Sequence, residues 1–294
     1  MSRRQTRGAF IGAAAGFALA PAAGLAANDG ALLALARGFP GVSGVVATTM
    51  GRGAPLLSHN PNERFPSASV IKLIVMLTAF AREATSPGTL SDRVVFHRAN
   101  LIGGSDFLAS QPDGATFSVL QLIRPMIQLS DNTAANALIG HFGLATINRV
   151  GRAAGLHRTR LARHFLDFAA IVHHEDNVTT AADMAHLVFE LERGAREDVA
   201  TVASPRACRA MIQIMLGQTD REGIPAGIPH GIAVANKTGA VTGTRNDIAI
   251  VDPMGNSPFV LAIVTKDIDD YGAAYLQMRR IARAVYRRVA GTDL

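Results

Sequence analysis

The sequence predicts an α+β fold: an antiparallel sheet assembled from both ends of the chain, flanked by helices, with an all-helical subdomain inserted between the two ends. Strand-like apolar runs occur only near the ends, at 42–49 and 56–58 and again at 232–238, 247–251 and 259–266. The long middle stretch instead repeats its apolar residues at helical spacing. The 294 residues are 48% hydrophobic and show no fixed-period repeat and no low-complexity linker, so one continuous core is expected. The expected organisation is a leader over 1–27 and a single domain over 28–294. Residues 28–65 and 204–294 form its sheet part, and residues 66–203 its helical part.

A first helix is expected over 31–36, ended by Gly38 and Pro40, followed by the strands at 42–49 and 56–58 around Gly51-Arg52-Gly53. From Ser69 to Glu83 the residues Val70, Ile71, Ile74, Val75 and Leu77 specify a heavily buried helix. A helix over 118–129 contains Pro125, which lacks an N–H to donate and predicts a kink. Short helices over 133–141 and 146–154 stop at Gly143 and Gly155. Thr179 or Thr180 caps a helix over 181–193. Ser204-Pro205 opens another, with the proline at the first helical position, where its missing N–H is harmless. The three strands of the C-terminal part follow, and the last helix spans 271–289.

The leader reads as an export signal. Arg3, Arg4 and Arg7 precede an apolar run from Ala9 to Ala20, and residues 22–27 offer small-residue cleavage sites. The paired arginines fit a twin-arginine or a Sec route, which places the mature protein in the periplasm or outside the cell. No stable membrane span is expected after cleavage. Losing three arginines leaves 26 basic against 23 acidic residues, a net +3 that argues against nucleic acid as a partner. The arginines at 279, 280, 283, 287 and 288 read as a solvated helix face, and the lone Cys208 excludes an intramolecular disulfide.

Three short strings carry chemistry: Ser69-Val70-Ile71-Lys72, Ser130-Asp131-Asn132 and Lys237-Thr238-Gly239. Ser69 and Lys72, three residues apart at a helix start, share one face. The helix N-terminus favours developing negative charge near Ser69, and a neutral Lys72 amine one turn on can take the serine proton. Lys72 lies on a strongly apolar helix, where an unpaired charge is costly. The second string falls between two apolar helices and reads as a tight loop facing a cleft. The third ends an apolar strand and enters a turn.

In this order the strings resemble the S-x-x-K, S-D-N and K-T-G boxes of class A β-lactamases and related penicillin-binding proteins. The residues 41–45, 62–66 and 128–136 extend the likeness over most of the mature chain. The resemblance implies a β-lactamase/transpeptidase-like fold and a nucleophile, Ser69, that attacks a strained amide with Lys72 as base. Lys237 disfavours a second ammonium and holds the substrate carboxylate with Thr238. Ser130 passes a proton to the leaving nitrogen, and Asn132 binds the substrate amide. The backbone N–H groups of Ser69 and Ala240, beside Gly239, form the oxyanion hole. Arg245, in Gly243-Thr244-Arg245, either assists with the carboxylate or is an ordinary strand arginine.

One loop departs from the pattern. Thr159-Arg160-Leu161-Ala162-Arg163 resembles the family's lead-in to W-E-x-x-L-N, but this chain continues His164-Phe165-Leu166-Asp167-Phe168-Ala169. Phe165 stands at the position of the deacylating glutamate and Ala169 at that of the asparagine. Asp167, two residues on, either substitutes as a base or ties the loop down, with Arg163 as partner. His164, His173 and His174 lack zinc-ligand spacing, so no metal and no cofactor is expected.

The leading expectation is an exported monomeric serine hydrolase that opens β-lactam amides through a Ser69 acyl-enzyme, with slow release. The alternatives are a carboxypeptidase or other amidase or esterase acting on D-Ala-D-Ala-like peptides, and a sensor that stays acylated.

Overall fold

The computed structural model describes residues 30–51 and 53–291; the expected leader over 1–27 lies outside the described residues. The chain begins with α1 (Gly30–Arg37), β1 (Val42–Thr49), β2 (Leu57–His59) and β3 (Phe65–Pro66), and a 3-10 turn (Ala68–Ile71) then leads into α2 (Lys72–Thr85). The middle comprises β4 (Arg93–Val95), α3 (Asp106–Ala109), β5 (Thr116–Ser118), α4 (Val119–Gln128), α5 (Asn132–Phe142) and α6 (Leu144–Ala153). It continues through α7 (Phe168–Val172), β6 (Val178–Thr179), α8 (Ala181–Arg196) and α9 (Pro205–Leu216). The chain ends with β7 (Val234–Val241), β8 (Thr244–Val251), β9 (Phe259–Lys266) and α10 (Tyr271–Ala290).

The main sheet has the order β2-β1-β9-β8-β7 with every neighbour antiparallel. The two ends of the chain meet at its centre, where β1 pairs with β9 from Val42↔Lys266 to Thr49↔Phe259. Alternate side chains of a strand face opposite sides, and both sides are covered here. On β9, Phe259, Leu261 and Ile263 face the layer formed by α1 and α10. Val260, Ala262 and Val264 face the larger core that includes α2, α4, α5, α8 and α9. Double coverage explains why β9 reads as an unbroken apolar run rather than as an alternation.

The caps of α8 and α9 match the sequence reading, and α4 carries a further one that it did not name. Ser118 and Gln121 form a reciprocal capping box on α4, Thr180 caps α8, and Ser204 caps α9 ahead of Pro205. Three expectations need correction. The 66–203 segment is not all helical, because β4 pairs with β5, and β6 pairs with β3; strands of two or three residues are too short for alternation to show. The first turn at Ser69 is 3-10 rather than α. The Lys237-Thr238-Gly239 string does not end its strand, since pairing with β8 extends β7 to Val241 and the turn falls at Thr242-Gly243.

Asn246 of β8 fastens the turn before Ser69 to the sheet. Its side-chain amide donates to Pro66 O (2.9 Å) and Ser67 O (3.2 Å), while its oxygen accepts from Thr265 N at 2.8 Å. Asn246→Ala strips three buried backbone groups of their partner, and we expect it to lower stability by about 1–3 kcal/mol. Urea unfolding checks this as a lower midpoint at an unchanged slope; an unchanged midpoint refutes the anchoring role.

Candidate active site

Ser69 lies in the 3-10 turn, directly after Ala68, whose φ of 44° is in the left-handed region that non-glycine residues rarely adopt. Gly239 of β7 lies against this turn. A Cβ there would meet Ser69 N at 3.0 Å and Ser67 O at 3.1 Å, so a larger residue would have to push the turn back by a few tenths of an ångström. β7 is an edge strand. The two-residue turn makes Val241↔Thr244 the hydrogen-bonded closing pair, so the alternate residues Ala240, Thr238 and Val234 point their backbone groups to the open edge. The carbonyls bear this out, since Thr238 O accepts from Lys237 Nζ at 2.7 Å and Val234 O from Arg221 Nη1 at 2.8 Å.

Lys72 and Lys237 are both fully buried. Lys72 Nζ donates to Ser130 O (2.6 Å) and Asn132 Oδ1 (2.7 Å), and lies 3.3 Å from Ser130 Oγ. Lys237 Nζ approaches the same hydroxyl at 3.1 Å. Burial, and next the charge of Lys237, hold the Lys72 ammonium well below the ordinary lysine range, with Asp131 opposing. Burial also lowers Lys237 to about 7, against the pull of Asp220 and Asp247. A neutral Lys72 amine has two hydrogens, which the two close acceptors take. Its lone pair is left free to receive a proton.

Local structure sets each of these groups. Ser130 has a φ of 59°, which turns the chain sharply between α4 and α5. Asp131, fully buried, caps α5 at Ala134 N (2.8 Å) and also accepts from Leu108 N (3.1 Å). Asn132 Nδ2 donates to Gly103 O at 2.8 Å, and Gly104, at a φ of 69°, leaves it room.

The divergent loop brings Phe165 to Lys72, with Nζ 4.4 Å from the ring centroid. Asn136 clamps the loop there with two bonds, Nδ2 to Phe165 O (3.0 Å) and Phe165 N to Oδ1 (2.8 Å). Asp167 caps α7, accepting from Ala170 N at 3.1 Å. Arg163 pairs with Asp176 (3.4 Å) rather than with Asp167. Arg245 stacks on Tyr271, 3.6 Å from the ring, and donates to Val241 O and Thr244 O at 3.0 and 2.7 Å, so its guanidinium braces the hairpin turn. Thus Lys72, Ser130, Asn132, Lys237 and Thr238 are bonded into one cluster beside Ser69, while Asp167 and Arg245 hold backbone near it. Among the described residues no group of three His, Cys, Asp or Glu side chains is placed to hold a metal.

Sequence reasoning assigned no role to Asn136, Asn246 or Asp247. The first two act on backbone far away in sequence. Asp247, buried on β8 opposite Thr238, accepts from Ile224 N and Asn236 Nδ2, and burial pushes its carboxyl up to about 7.

A serine, two buried lysines and a shared hydroxyl at a sheet edge define an acyl-transfer site of the serine hydrolase type. The model of the β-lactamase enzyme family matches residues 29–289, and this chain belongs to that family. Among its relatives, a β-lactamase of Streptomyces fradiae is 30% identical over 264 residues, covering 87% of this chain and 84% of that one. The carbapenem-hydrolysing β-lactamase KPC of Klebsiella oxytoca is 29% identical over 236 residues, 79% and 78% of the two chains. The β-lactamase of Sphaerobacter thermophilus superimposes with a TM-score of 0.78 at 28% identity, covering 90% and 98%. PBP-A gives the same TM-score at 25% identity, covering 90% and 96%.

If Asn136 is what holds Phe165, Asn136→Ala should release the loop. We expect amide exchange over residues 161–175 to rise at least about tenfold, in keeping with the loss of two buried hydrogen bonds. Unchanged exchange there refutes the clamp.

Proposed function

We propose that this protein is acylated at Ser69 by β-lactam amides and releases the acyl group slowly. The observation that carries the second half is Phe165, clamped beside Lys72 with no carboxylate on the same residue to activate water. Ser69 Oγ attacks the carbonyl carbon and its proton passes to the Lys72 amine. Negative charge on the carbonyl oxygen meets the N–H groups of Ser69 and Ala240, each worth about two to three powers of ten. The C–N bond then breaks, the leaving nitrogen takes the Ser130 proton, and the Lys72 ammonium restores it. Lys237 and Thr238 hold the substrate carboxylate, and Asn132 the side-chain amide. Arg245 supports this wall by bracing the hairpin turn.

Hydrolysis needs a general base, whose loss removes about two to four powers of ten in rate. From a typical turnover near 10 per second, about 0.1 to 0.001 per second would remain. Asp167 is committed to its cap and would have to leave Ala170 N to serve as that base. The likeness to PBP-A favours, as a second reading, a penicillin-binding protein or sensor that remains acylated. We further propose that the chain is exported, on the strength of the leader in its sequence.

Mixing with a chromogenic cephalosporin should give a stoichiometric burst and one acyl adduct by intact mass, both lost in Ser69→Ala. Labelling retained in Ser69→Ala refutes the nucleophile, and no adduct on the unaltered protein refutes the acyl-enzyme. Phe165→Glu should speed release of the preformed adduct by about a hundredfold or more. Release unchanged in a variant that still acylates refutes the role given to Phe165.

A further inference from the structure

The outer layer of the sheet, α1 and α10, carries charge that the Ser69 chemistry does not use. Six arginines lie in these two helices, Arg37, Arg279, Arg280, Arg283, Arg287 and Arg288, and neither helix contains an aspartate or a glutamate. Of the 26 basic and 23 acidic residues that follow the leader, setting these six aside leaves 20 against 23. The positive excess of the chain therefore comes from this one layer. At about 100° per residue, Leu276, Arg280, Arg283 and Arg287 fall within about 60° of arc on α10. Ala274, Met278, Ile281, Ala282 and Val285 are buried on the opposite side of the helix. All four residues of the stripe are exposed, Leu276 by 47%. Its three arginines form no ion pair among the described residues, whereas Arg279 is turned inward to Glu222 O at 2.8 Å.

Spacing in the sequence reads these arginines as a solvated face. The structure adds that three of them are aligned, unpaired and in line with an exposed leucine, on the one layer that is positive. Guanidinium groups bind phosphate through paired hydrogen bonds, and each basic residue held at an anionic bilayer strengthens binding about fivefold. The placement of the layer favours a bilayer over a soluble polyanion. α1 ends and α10 begins at the same end of the sheet, where Val42 pairs with Lys266, and Gln277 Nε2 donates to Leu35 O at 2.7 Å. The two helices therefore run antiparallel. Gly30, just after the leader that reads as an export signal, lies toward the arginine-bearing half of α10.

We propose that α10 docks this protein on the surface of a bilayer rich in anionic phospholipid, through Arg280, Arg283 and Arg287, with Leu276 entering the headgroup layer. α2, which carries Lys72, packs on the opposite face of the sheet, so the docked protein keeps its Ser69 cleft away from the bilayer. Docking is independent of the acylation chemistry proposed above.

Phosphatidylcholine vesicles with and without about one-third phosphatidylglycerol test this on the full chain, whose leader is common to every variant. An environment-sensitive fluorophore is attached through Leu276→Cys, the native Cys208 being buried. Its emission should shift to the blue with phosphatidylglycerol vesicles at about 0.1 M salt and return at about 0.5 M, where screening is stronger. Pure phosphatidylcholine should leave it in place. Arg280→Glu, Arg283→Glu and Arg287→Glu together should weaken the affinity read from this shift at least about a hundredfold, and Arg283→Gln alone about fivefold. The same label attached through Val172→Cys, on the exposed helix α7 of the divergent loop, should not respond. An equal shift with phosphatidylcholine alone, affinity retained in the arginine variants, or a larger response at position 172 overturns the proposal. A response to soluble heparin equal to that with vesicles assigns the face to a free polyanion and overturns it too.

Discussion

Two buried lysines sharing one hydroxyl impose the constraint from which the rest of the site follows. Lys72 and Lys237 both reach Ser130 Oγ, at 3.3 and 3.1 Å, with neither exposed to water. Two ammonium groups so placed repel each other and have both lost their hydration, so at least one is driven to the neutral form. Nearby carboxylates decide which. Asp220 and Asp247 support the charge on Lys237, and Asp131 alone supports Lys72, which also has Lys237 against it. On the proposed mechanism a neutral Lys72, one turn on from Ser69, is the base for that nucleophile.

The fold exists around that arrangement in a specific sense. Each lysine comes from a different layer, Lys72 from the helix at the centre of the larger core and Lys237 from the edge strand of the sheet. Asn246 ties the Ser69 turn to β8, and Gly239 lets β7 lie against it. Ser130 closes the gap from the helical side. Removing the side-chain volume at Gly239 is as much a part of the site as adding a functional group elsewhere, because the approach is limited by sterics.

Phe165 changes what such a site can do. An aromatic ring 4.4 Å from the Lys72 amine offers no oxygen to activate water, while Lys72, Ser130 and Lys237 keep their contacts with one another. On the proposed mechanism, formation and release of an acyl-enzyme draw on different side chains on different elements and are therefore separable.

Much of this was legible in the chain itself. The apolar run of β9, the threonine cap at Thr180, and Ser204-Pro205 are local signals, and local signals survive without knowledge of the fold. Ser69, Lys72, Ser130, Asn132, Lys237 and Thr238 could be singled out as candidates because each lies in a short string of chemically suggestive residue types. The strand length at Lys237-Thr238-Gly239, the short ladders, and the work of Asn136, Asn246 and Arg221 could not be read, because each depends on a backbone partner far away in sequence. Asp167 and Arg245 show the same limit from the other side: their types suggested chemistry, and their neighbours in space hold them to a cap and a hairpin turn. Residue type and order thus determined which groups are available, whereas tertiary structure decided their charge states and partners, because burial and distance are properties of the folded chain alone.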